Sequence, residues 1–566
     1  MIQISLLSRV VYVTCILMLG GCGGASDTQS SASVSTPNTQ ITDPQRKEAA
    51  RLLTQASFGP RANEIEQVAE FLANNNVTAW IDAQVNKPIT LHYPVAEQLS
   101  SDNEVLSGAS DRPMRMDAWW RASLLGEDQL RQRIAFALSQ LFVISENSQL
   151  GNFQIEIANY YDLLLGHAFG NYRELMEDVT KSPVMGLYLS MMGNEKPQPD
   201  LNIRPDENFA RELMQLFTIG LNEMNIDGSL KLDLQGQAIP TYNQETIEAY
   251  AHVFTGWHFA GKTELNWNLF FANYDFLTPM ELVDSFHDQD SKILLNGYMV
   301  PSGTQGETAL DIALDSLFMH PNMPPFVAKH MIQHLVTSNP SSEYVARVAS
   351  AFEDNGEGVR GNMLAVVTAV MIDSEAREPE YYSQAHYGKV KQPLIRTTQI
   401  LRALIPEQVV VTEDELLFRE LVSIQDFTAQ SPLGAPSVFN FFLPDHQVNG
   451  ELLSLGMVTP EFQIITTNNV VRNSNFVAYF LYSTQGKHFR ERLNIDFTAY
   501  ELKLDDNIEA LIAHINFMLL QGNMSDDYAQ VLRDYDNQIA GVVTENERIR
   551  ETLMLVFTSP QFAVQQ

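Results

Sequence analysis

The segment 204–221 carries charged and amide side chains at a spacing that suits a chemical site. As a helix, it places Glu207 and Arg211 four residues apart, with Asn208 and Glu212 on a neighbouring strip. If this polar side lines a cleft, Glu207 or Glu212 is a candidate general acid, general base or ligand. If it faces solvent, Glu207 and Arg211 form an ordinary surface ion pair. Spacing alone leaves both interpretations open.

The segment 241–257 has a second polar helix face, formed by Glu245, Glu248 and His252. Two carboxylates and a histidine at three- and four-residue spacing are typical of helical metal sites. One helix supplies only half of such a site, and a solvated face is commoner. We therefore predict no metal, and we keep Glu245 as a candidate for acid–base chemistry.

A third candidate site lies where His287 and Lys292 flank the acids Asp288 and Asp290. A histidine beside carboxylates at the junction of a loop and a strand is a reasonable site element. The same residues are equally typical of a turn that satisfies its own backbone. The sequence does not separate these two interpretations.

The segment 386–402 contains Lys389, Lys391, Arg396 and Arg402 and no acidic residue. In so acidic a chain it is a local positive region, suited to binding an anion or to pairing with helix-borne glutamates. We favour internal pairing.

His330 and His334 are four residues apart on a predicted helix, a spacing that can hold a metal ion. We favour the simpler interpretation, a basic and solvent-facing helix side beside Lys329.

The elements that position these residues are predicted to be mainly α-helical. Apolar residues recur at helical spacing along most of the chain, and we expect one large multi-helix unit over residues 44–566. Asp43 is the predicted N-cap of its first helix. The clearest strand signal is the segment 292–300, where Asn296-Gly297 predicts a tight β-hairpin. A long aromatic loop region is expected near residues 259–286.

The N-terminus reads as an export signal. Residues 1–21 hold a single charge, Arg9, followed by an apolar run, and end in Leu19-Gly20-Gly21, directly before Cys22. This pattern resembles the lipobox of bacterial lipoproteins, which implies a lipid anchor at Cys22. Because Gly23 rather than aspartate follows, the resemblance implies the outer membrane. Residues 22–43 are then a flexible tether, and the mature chain has no disulfide.

Charge and motifs exclude several classes of function. Lys and Arg number 36 against 69 Asp and Glu, a net charge of −33, which argues against binding to nucleic acid. The chain has no G-x-S-x-G, H-E-x-x-H or Walker A motif. We therefore predict no cofactor, and the composition does not indicate a reaction.

The motifs taken together resemble the bacterial domain-of-unknown-function 1800 family. The most specific stretches are RPDENFARE and FTGW, and others include ARLLTQASFGP, SFHDQDSK, GKVKQPLIR and SPLGAPSVFNFF. The resemblance runs from about Ala50 to the C-terminus and implies an exported, mostly helical protein without an established reaction. His252, His330 and His334 depart from the expected pattern, where Arg or Lys is often found. Members are often encoded beside the domain-of-unknown-function 1501 family, which looks like sulfatases and phosphatases and is a candidate secreted partner.

Two functions follow as expectations. The first is an outer-membrane lipoprotein that assists a secreted partner or binds an extracellular polymer. The alternative is a carboxylate-dependent hydrolase acting on polysaccharide or another envelope polymer. The catalytic candidates are Glu207, Glu212, Glu245 and His287, and the binding candidates are Asn208, Arg211, Lys292, Lys389 and Arg396.

Overall fold

The helical periodicity of the sequence produces a helical protein. The computed structural model describes residues 41–61, 63–102, 111–270, 274–406, 409, 415–495 and 497–566. Within them, Ile41–Gln566 is one compact unit. One continuous cluster of buried apolar side chains runs from Ala49 to Phe562 and holds the helices together.

The described residues contain 27 α-helices. In the first half they are α1 (Asp43–Ala56), α2 (Glu64–Asn74), α3 (Val77–Val85), α4 (Tyr93–Asp102), α5 (Arg112–Leu125), α6 (Gln129–Ser139), α7 (Gln154–Gly166), α8 (Tyr172–Lys181), α9 (Pro183–Tyr188), α10 (Asn208–Glu212), α11 (Gln244–Val253), α12 (Gly306–Phe318) and α13 (Met323–Leu335). In the second half they are α14 (Ser342–Glu353), α15 (Met363–Ile372), α16 (Ser374–Arg377), α17 (Pro379–Tyr382), α18 (Pro393–Leu404), α19 (Gln425–Thr428), α20 (Glu451–Ser454), α21 (Thr467–Tyr482), α22 (Thr484–Arg492), α23 (Thr498–Asp506), α24 (Ile508–Leu520), α25 (Asp526–Ile539), α26 (Glu545–Thr558) and α27 (Pro560–Ala563).

Six two-residue strands form three antiparallel pairs. They are β1 (Trp257–His258) with β2 (Glu281–Leu282), β3 (Lys292–Ile293) with β4 (Met299–Val300), and β5 (Lys389–Val390) with β6 (Val564–Gln565). The prediction of a mainly α-helical chain with a small β element is therefore confirmed.

The hairpin at 292–300 forms, but its turn is longer than predicted. Lys292 pairs with Val300 and Ile293 with Met299, which leaves Asn296 near the middle of a 3₁₀ turn. Asn296 and Gly297 both have positive φ angles, as their types favour. A two-residue Asn-Gly turn would shift the pairing by one residue and would move the buried side chain of Lys292 to the other face.

The helix predicted over 204–221 differs from an α-helix after one turn. Only Asn208–Glu212 is α-helical, and Leu213–Thr218 is π-helical, with the N–H of Ile219 bonded to the oxygen of Met214. The wider π turn buries Met214 and Thr218 together with the predicted apolar face. An angle of 100° per residue therefore describes this segment only as far as Glu212.

The first helix begins one residue earlier than predicted. Thr42 rather than Asp43 is the N-cap of α1, and Gln45 completes a capping box with it. The predicted signal peptide, Cys22 and residues 22–40 of the tether lie outside the described residues. In the part that is described, no helix combines the length and the apolar character needed to cross a membrane.

Candidate functional site

The segment 284–290 forms one wall of an open cleft of about 610 Å³, here called the His287 cleft. Its lining residues are Lys196, Pro197, Glu264, Asp284, Ser285, His287, Asp288, Gln289 and Asp290. Of the catalytic candidates, His287 lines this cleft, and Glu207, Glu212 and Glu245 do not.

A close backbone approach positions His287. Gly256 lies in the turn between α11 and β1 with a φ of +86°, and a Cβ there would come within 2.9 Å of His287. Only glycine combines this conformation with this approach. The side chain of Thr255 completes the junction, since its hydroxyl accepts a hydrogen bond from the N–H of Asp288 at 2.9 Å.

The ring of His287 is 1% exposed and is held in one tautomer. Its Nδ1 lies 2.9 Å from the carbonyl oxygen of Thr255, which can only accept, so Nδ1 carries the proton. Burial lowers the pKa of His287 and favours the neutral ring. The lone pair of Nε2 is therefore a buried acceptor, and no described residue donates to it.

Asp288 is the buried carboxylate next to His287, and it has two basic partners. Nδ1 of His252 donates to its Oδ2, and Nζ of Lys292 donates to its Oδ1 at 3.2 Å. Lys292 also donates to the main-chain oxygens of Asp288 and Asp290, at 2.7 Å each. Although burial opposes it, these bonds hold the pKa of Asp288 well below its ordinary value. Lys292, a predicted binding residue, therefore stabilises the loop from within.

The exposed carboxylates of the cleft differ from Asp288. Glu264, Asp284 and Asp290 form no ion pair with any other described residue. Lys196 is the one cationic residue among those that line the cleft. The wall is therefore negative and rich in hydrogen-bond acceptors.

Glu207 and Arg211 form the surface ion pair that was one of the two sequence interpretations. Arg211 donates to Glu207 at 2.9 Å. Gln244 at the start of α11 donates to both oxygens of Glu207 at 3.0 Å and to Glu248 at 3.2 Å. The polar faces of α10 and α11 thus meet through Gln244. Asn208, at the start of α10, is exposed.

Glu212 is only 6% exposed, and its Oε2 has no partner among the described side chains. Burial raises its pKa, although the nearby charge of Arg211 lowers it in part. Tyr188 and Tyr242 lie close enough to feel its charge, and with burial as the main cause their pKa values rise to about 12. Glu245 is exposed in the first turn of α11, so these two candidates have opposite environments.

The positive segment 386–402 pairs mostly inside the protein. Lys389 is buried, forms an ion pair with Glu461 at 2.9 Å and donates to the main chain of α13. Arg396 donates to the main-chain oxygen of Phe557, and Arg402 pairs with Glu64. Lys391 differs, since its buried Nζ has no hydrogen-bond partner in the described structure and lies 4.4 Å from the ring centre of Phe562.

The solvent-facing interpretation of His330 and His334 is wrong. Their rings stack with centres 4.0 Å apart, and His334 is buried. Nε2 of His330 contacts the carbonyl oxygen of Ala137 on α6, so α13 packs its histidine side inward. No set of three or more His, Cys, Asp or Glu side chains in the described part of the chain is placed to hold a metal ion.

Sequence reasoning missed part of the cleft. Lys196 comes from a segment far from residue 284, and no local signal connects the two, whereas Glu264 lies in the predicted loop region 259–286. The density of acids in 284–290 was visible, and it is the signal that could have identified Asp284 and Ser285.

Comparison with known proteins identifies the family. The sequence profile of the family described as Protein of unknown function (DUF1800) matches residues 51–564 of the 566. Neither the curated proteins nor the solved structures contain a match to this chain. Since the family match covers nearly the whole sequence, the chain belongs to the DUF1800 family.

Proposed function

We propose that this protein is an envelope lipoprotein, anchored in the outer membrane through Cys22, that binds an extracellular polymer in the His287 cleft. In this role it is an accessory or binding protein and assists a secreted enzyme, for which the sulfatase-like domain-of-unknown-function 1501 family is the candidate. The anchor rests on the apolar run that ends in Leu19-Gly20-Gly21-Cys22.

The observation that carries the binding role is the His287 cleft itself, a concave space lined by the exposed acids Glu264, Asp284 and Asp290. The volume of this cleft, about 610 Å³, falls within the range of about 300–1,000 Å³ typical of ligand sites.

The state of Asp288 favours binding over acid–base catalysis at this cleft. A general acid must hold a proton near neutral pH, whereas Asp288 is kept ionised by His252 and Lys292. Its hydrogen bonds are used inside the loop, which makes it a structural support for the cleft wall.

One observation favours the alternative of a carboxylate-dependent hydrolase. Glu212 is a buried carboxyl with a raised pKa and an unpartnered oxygen, the environment of a general acid. A glycoside hydrolase also needs a second carboxylate about 5–10 Å away across the substrate. Glu207 forms an ion pair with Arg211 and is therefore a poor candidate for this second carboxylate.

The anchor is tested by labelling cells with a radioactive fatty acid. Label is expected on the wild type and on Cys15→Ala, whose cysteine lies within the signal, and absent from Cys22→Ala. Equal labelling of all three proteins would contradict the anchor.

The binding role is tested on lipoprotein extracted from its own envelope in mild detergent. We expect co-purifying polysaccharide, measured as sugar released by acid hydrolysis, with the wild type. Asp284→Asn/Asp290→Asn should lose most of it, and Asp505→Asn, an exposed acid outside the cleft lining, should retain it. Steady release of shortened polymer, abolished by Glu212→Gln, would support the hydrolase instead.

A further inference from the structure

We propose that Asn449 is a site of spontaneous deamidation, where the asparagine converts to aspartate and isoaspartate while the protein stays folded. The chain contains three Asn-Gly pairs, which begin at Asn296, Asn355 and Asn449. Hydrogen bonds hold the first two pairs, and the third is free to react. This inference is independent of the proposed function.

The reaction needs only water and an asparagine that is followed by an unhindered residue. The main-chain nitrogen of the next residue attacks the side-chain carbonyl carbon, and the bond from this carbon to the amide nitrogen breaks. The amide leaves as ammonia with the proton of the main-chain N–H, and a cyclic succinimide remains. Water then opens either carbonyl of the ring to give aspartate or isoaspartate. A following glycine favours ring formation because it has no side chain and accepts unusual dihedral angles.

Asn449 and Gly450 form the exposed tip of a loop. Gly450 has a φ of +130°, and no heavy atom lies within 4 Å of the position that a Cβ would take there. Neither the side-chain amide of Asn449 nor the N–H of Gly450 makes a hydrogen bond with a residue that the structure describes. The amide can therefore rotate onto the main-chain nitrogen without breaking a hydrogen bond.

The loop that carries this tip is itself held in place. Nε2 of Gln333 on α13 donates to the carbonyl oxygen of Pro444 at 3.2 Å. The hydroxyl oxygen of Thr459 accepts a hydrogen bond from the N–H of Val448 at 3.1 Å. These contacts end one residue before Asn449. Reaction at the tip therefore does not require the rest of the loop to unfold.

Asn296 is exposed as well, but its side chain and its main chain are both fixed. Its Nδ2, the atom that would leave as ammonia, donates to the carbonyl oxygen of Ser316 on α12 at 2.9 Å. Its φ of +56° belongs to the turn that joins β3 and β4. Attack by the nitrogen of Gly297 would require the side chain to leave α12 and the turn to rearrange.

At the pair Asn355-Gly356, both reacting groups are engaged in hydrogen bonds. Oδ1 of Asn355 accepts from the N–H of Glu357 at 3.0 Å and from that of Val359 at 3.1 Å. The N–H of Gly356, which would be the nucleophile, donates to Oδ1 of Asp354 at 2.8 Å. These bonds must break before the ring can form, so we expect this pair to react slowly in the folded protein.

The test follows all three sites in the full-length protein, kept folded in mild detergent at mildly alkaline pH. Peptide mass spectrometry measures the mass change from amide to acid at each asparagine, and electron-transfer fragmentation distinguishes isoaspartate from aspartate. We expect Asn449 to react at least about tenfold faster than Asn296 and Asn355, because those two sites must first break hydrogen bonds. In urea the three rates should converge, since glycine follows each asparagine.

Two alanine substitutions should change the rates in opposite directions. Gly450→Ala should slow the reaction at Asn449, because a side chain then hinders the attacking nitrogen. Asp354→Ala removes the acceptor that holds the N–H of Gly356, and it should speed the reaction at Asn355. The unaltered Asn296 is the internal control in both variants.

Several outcomes would overturn the inference. Equal rates at the three sites in the folded protein would show that these hydrogen bonds do not protect. If Asn449 stays intact in the folded protein and reacts only in urea, the tip is held and is not a deamidation site. A wild-type rate at Asn355 in Asp354→Ala would refute the protection assigned to that bond.

Discussion

Nδ1 of His252, in the last turn of α11, donates a hydrogen bond to Oδ2 of Asp288, in the loop that lines the cleft. The two residues are 36 positions apart in the chain. On its other side Asp288 contacts Lys292 at the start of β3. One buried carboxylate therefore connects a helix, a loop and a strand, and it fixes the position of His287 next to it.

Asp288→Asn should destabilise the protein strongly. Lys292 would keep its buried charge but lose the carboxylate that balances it, a change that costs about 3 kcal/mol or more. Asp290→Asn is the matched control, because that carboxylate is exposed and should matter by under about 0.5 kcal/mol. Urea unfolding followed by tryptophan fluorescence measures both. Equal midpoints for Asp288→Asn and wild type would refute the structural role.

Glu212→Gln should stabilise the protein at pH 7 and much less at pH 4. Burial raises the pKa of Glu212 in the folded state above its unfolded value. Protonated Glu212 therefore adds to the free energy of unfolding below its unfolded pKa. This stabilisation is lost as pH rises through the folded pKa, because the buried side chain then has to carry a charge. A glutamine at this position does not ionise, so the variant does not lose this stability as pH rises. The comparison is urea unfolding at the two pH values, with the exposed Glu245→Gln as control, and a destabilised variant at pH 7 would contradict it.

Lys391→Met should stabilise the protein, and more so at pH 7 than at pH 9. Burial is the main cause that lowers the pKa of Lys391, to about 7, with the charge of Arg396 adding to it. At pH values between its folded and its unfolded pKa, Lys391 is protonated in the unfolded chain and neutral in the folded chain. Stability then falls by about 1.4 kcal/mol per pH unit as pH drops.

The gain from Lys391→Met should therefore be about 2 kcal/mol larger at pH 7 than at pH 9. Lys503→Met, at an exposed position, is the control and should show no pH-dependent gain. A gain that is the same at both pH values would mean that Lys391 keeps its charge in the folded protein.

Buried neutral histidines should make the protein unstable in mild acid. Burial lowers the pKa of His92, His258 and His320 to about 4 in each case. Since the unfolded chain takes up their protons near pH 6.5, each removes up to about 1.4 kcal/mol per pH unit between pH 6.5 and 4. Urea midpoints at pH 7 and pH 5 should therefore differ widely.

Single substitutions test this acid sensitivity. His258→Asn should show a shallower loss between pH 7 and pH 5 than the wild type. His386→Asn, at an exposed histidine, should lose stability as steeply as the wild type. A midpoint that does not change between the two pH values would contradict the neutral, buried state of these rings.

The sequence predicted the helical class well because burial periodicity is local. Ile134, Leu138 and Leu141 recur at helical spacing in the sequence, and all are buried. The π-helical turn after Glu212 was not predicted, since no residue type marks a main-chain bond to the fifth residue back. Likewise, a Thr–Gln capping box places the N-cap of α1 at Thr42, so the helix begins at Asp43.

The candidate site was predicted only in part, because tertiary packing decides which polar groups meet. His287 and Lys292 were identified from a short acidic segment, and Lys292 donates to the main-chain oxygen of Asp288, the residue next to His287. The pairing of His252 with Asp288 joins two candidate motifs that the sequence kept separate. For His330 and His334, helical spacing could not show that α13 packs this side against α6.

Carboxylate footprinting tests the central claim most directly, because it locates the polymer on the protein. The full-length lipoprotein is labelled with a carbodiimide and glycine ethyl ester, with and without its envelope polysaccharide, and the sites are measured by mass spectrometry. We predict that the polymer protects Glu264, Asp284 and Asp290, while Glu245 and Asp505 react equally in both samples. Unchanged labelling of the three cleft residues, with or without protection elsewhere, would contradict the account.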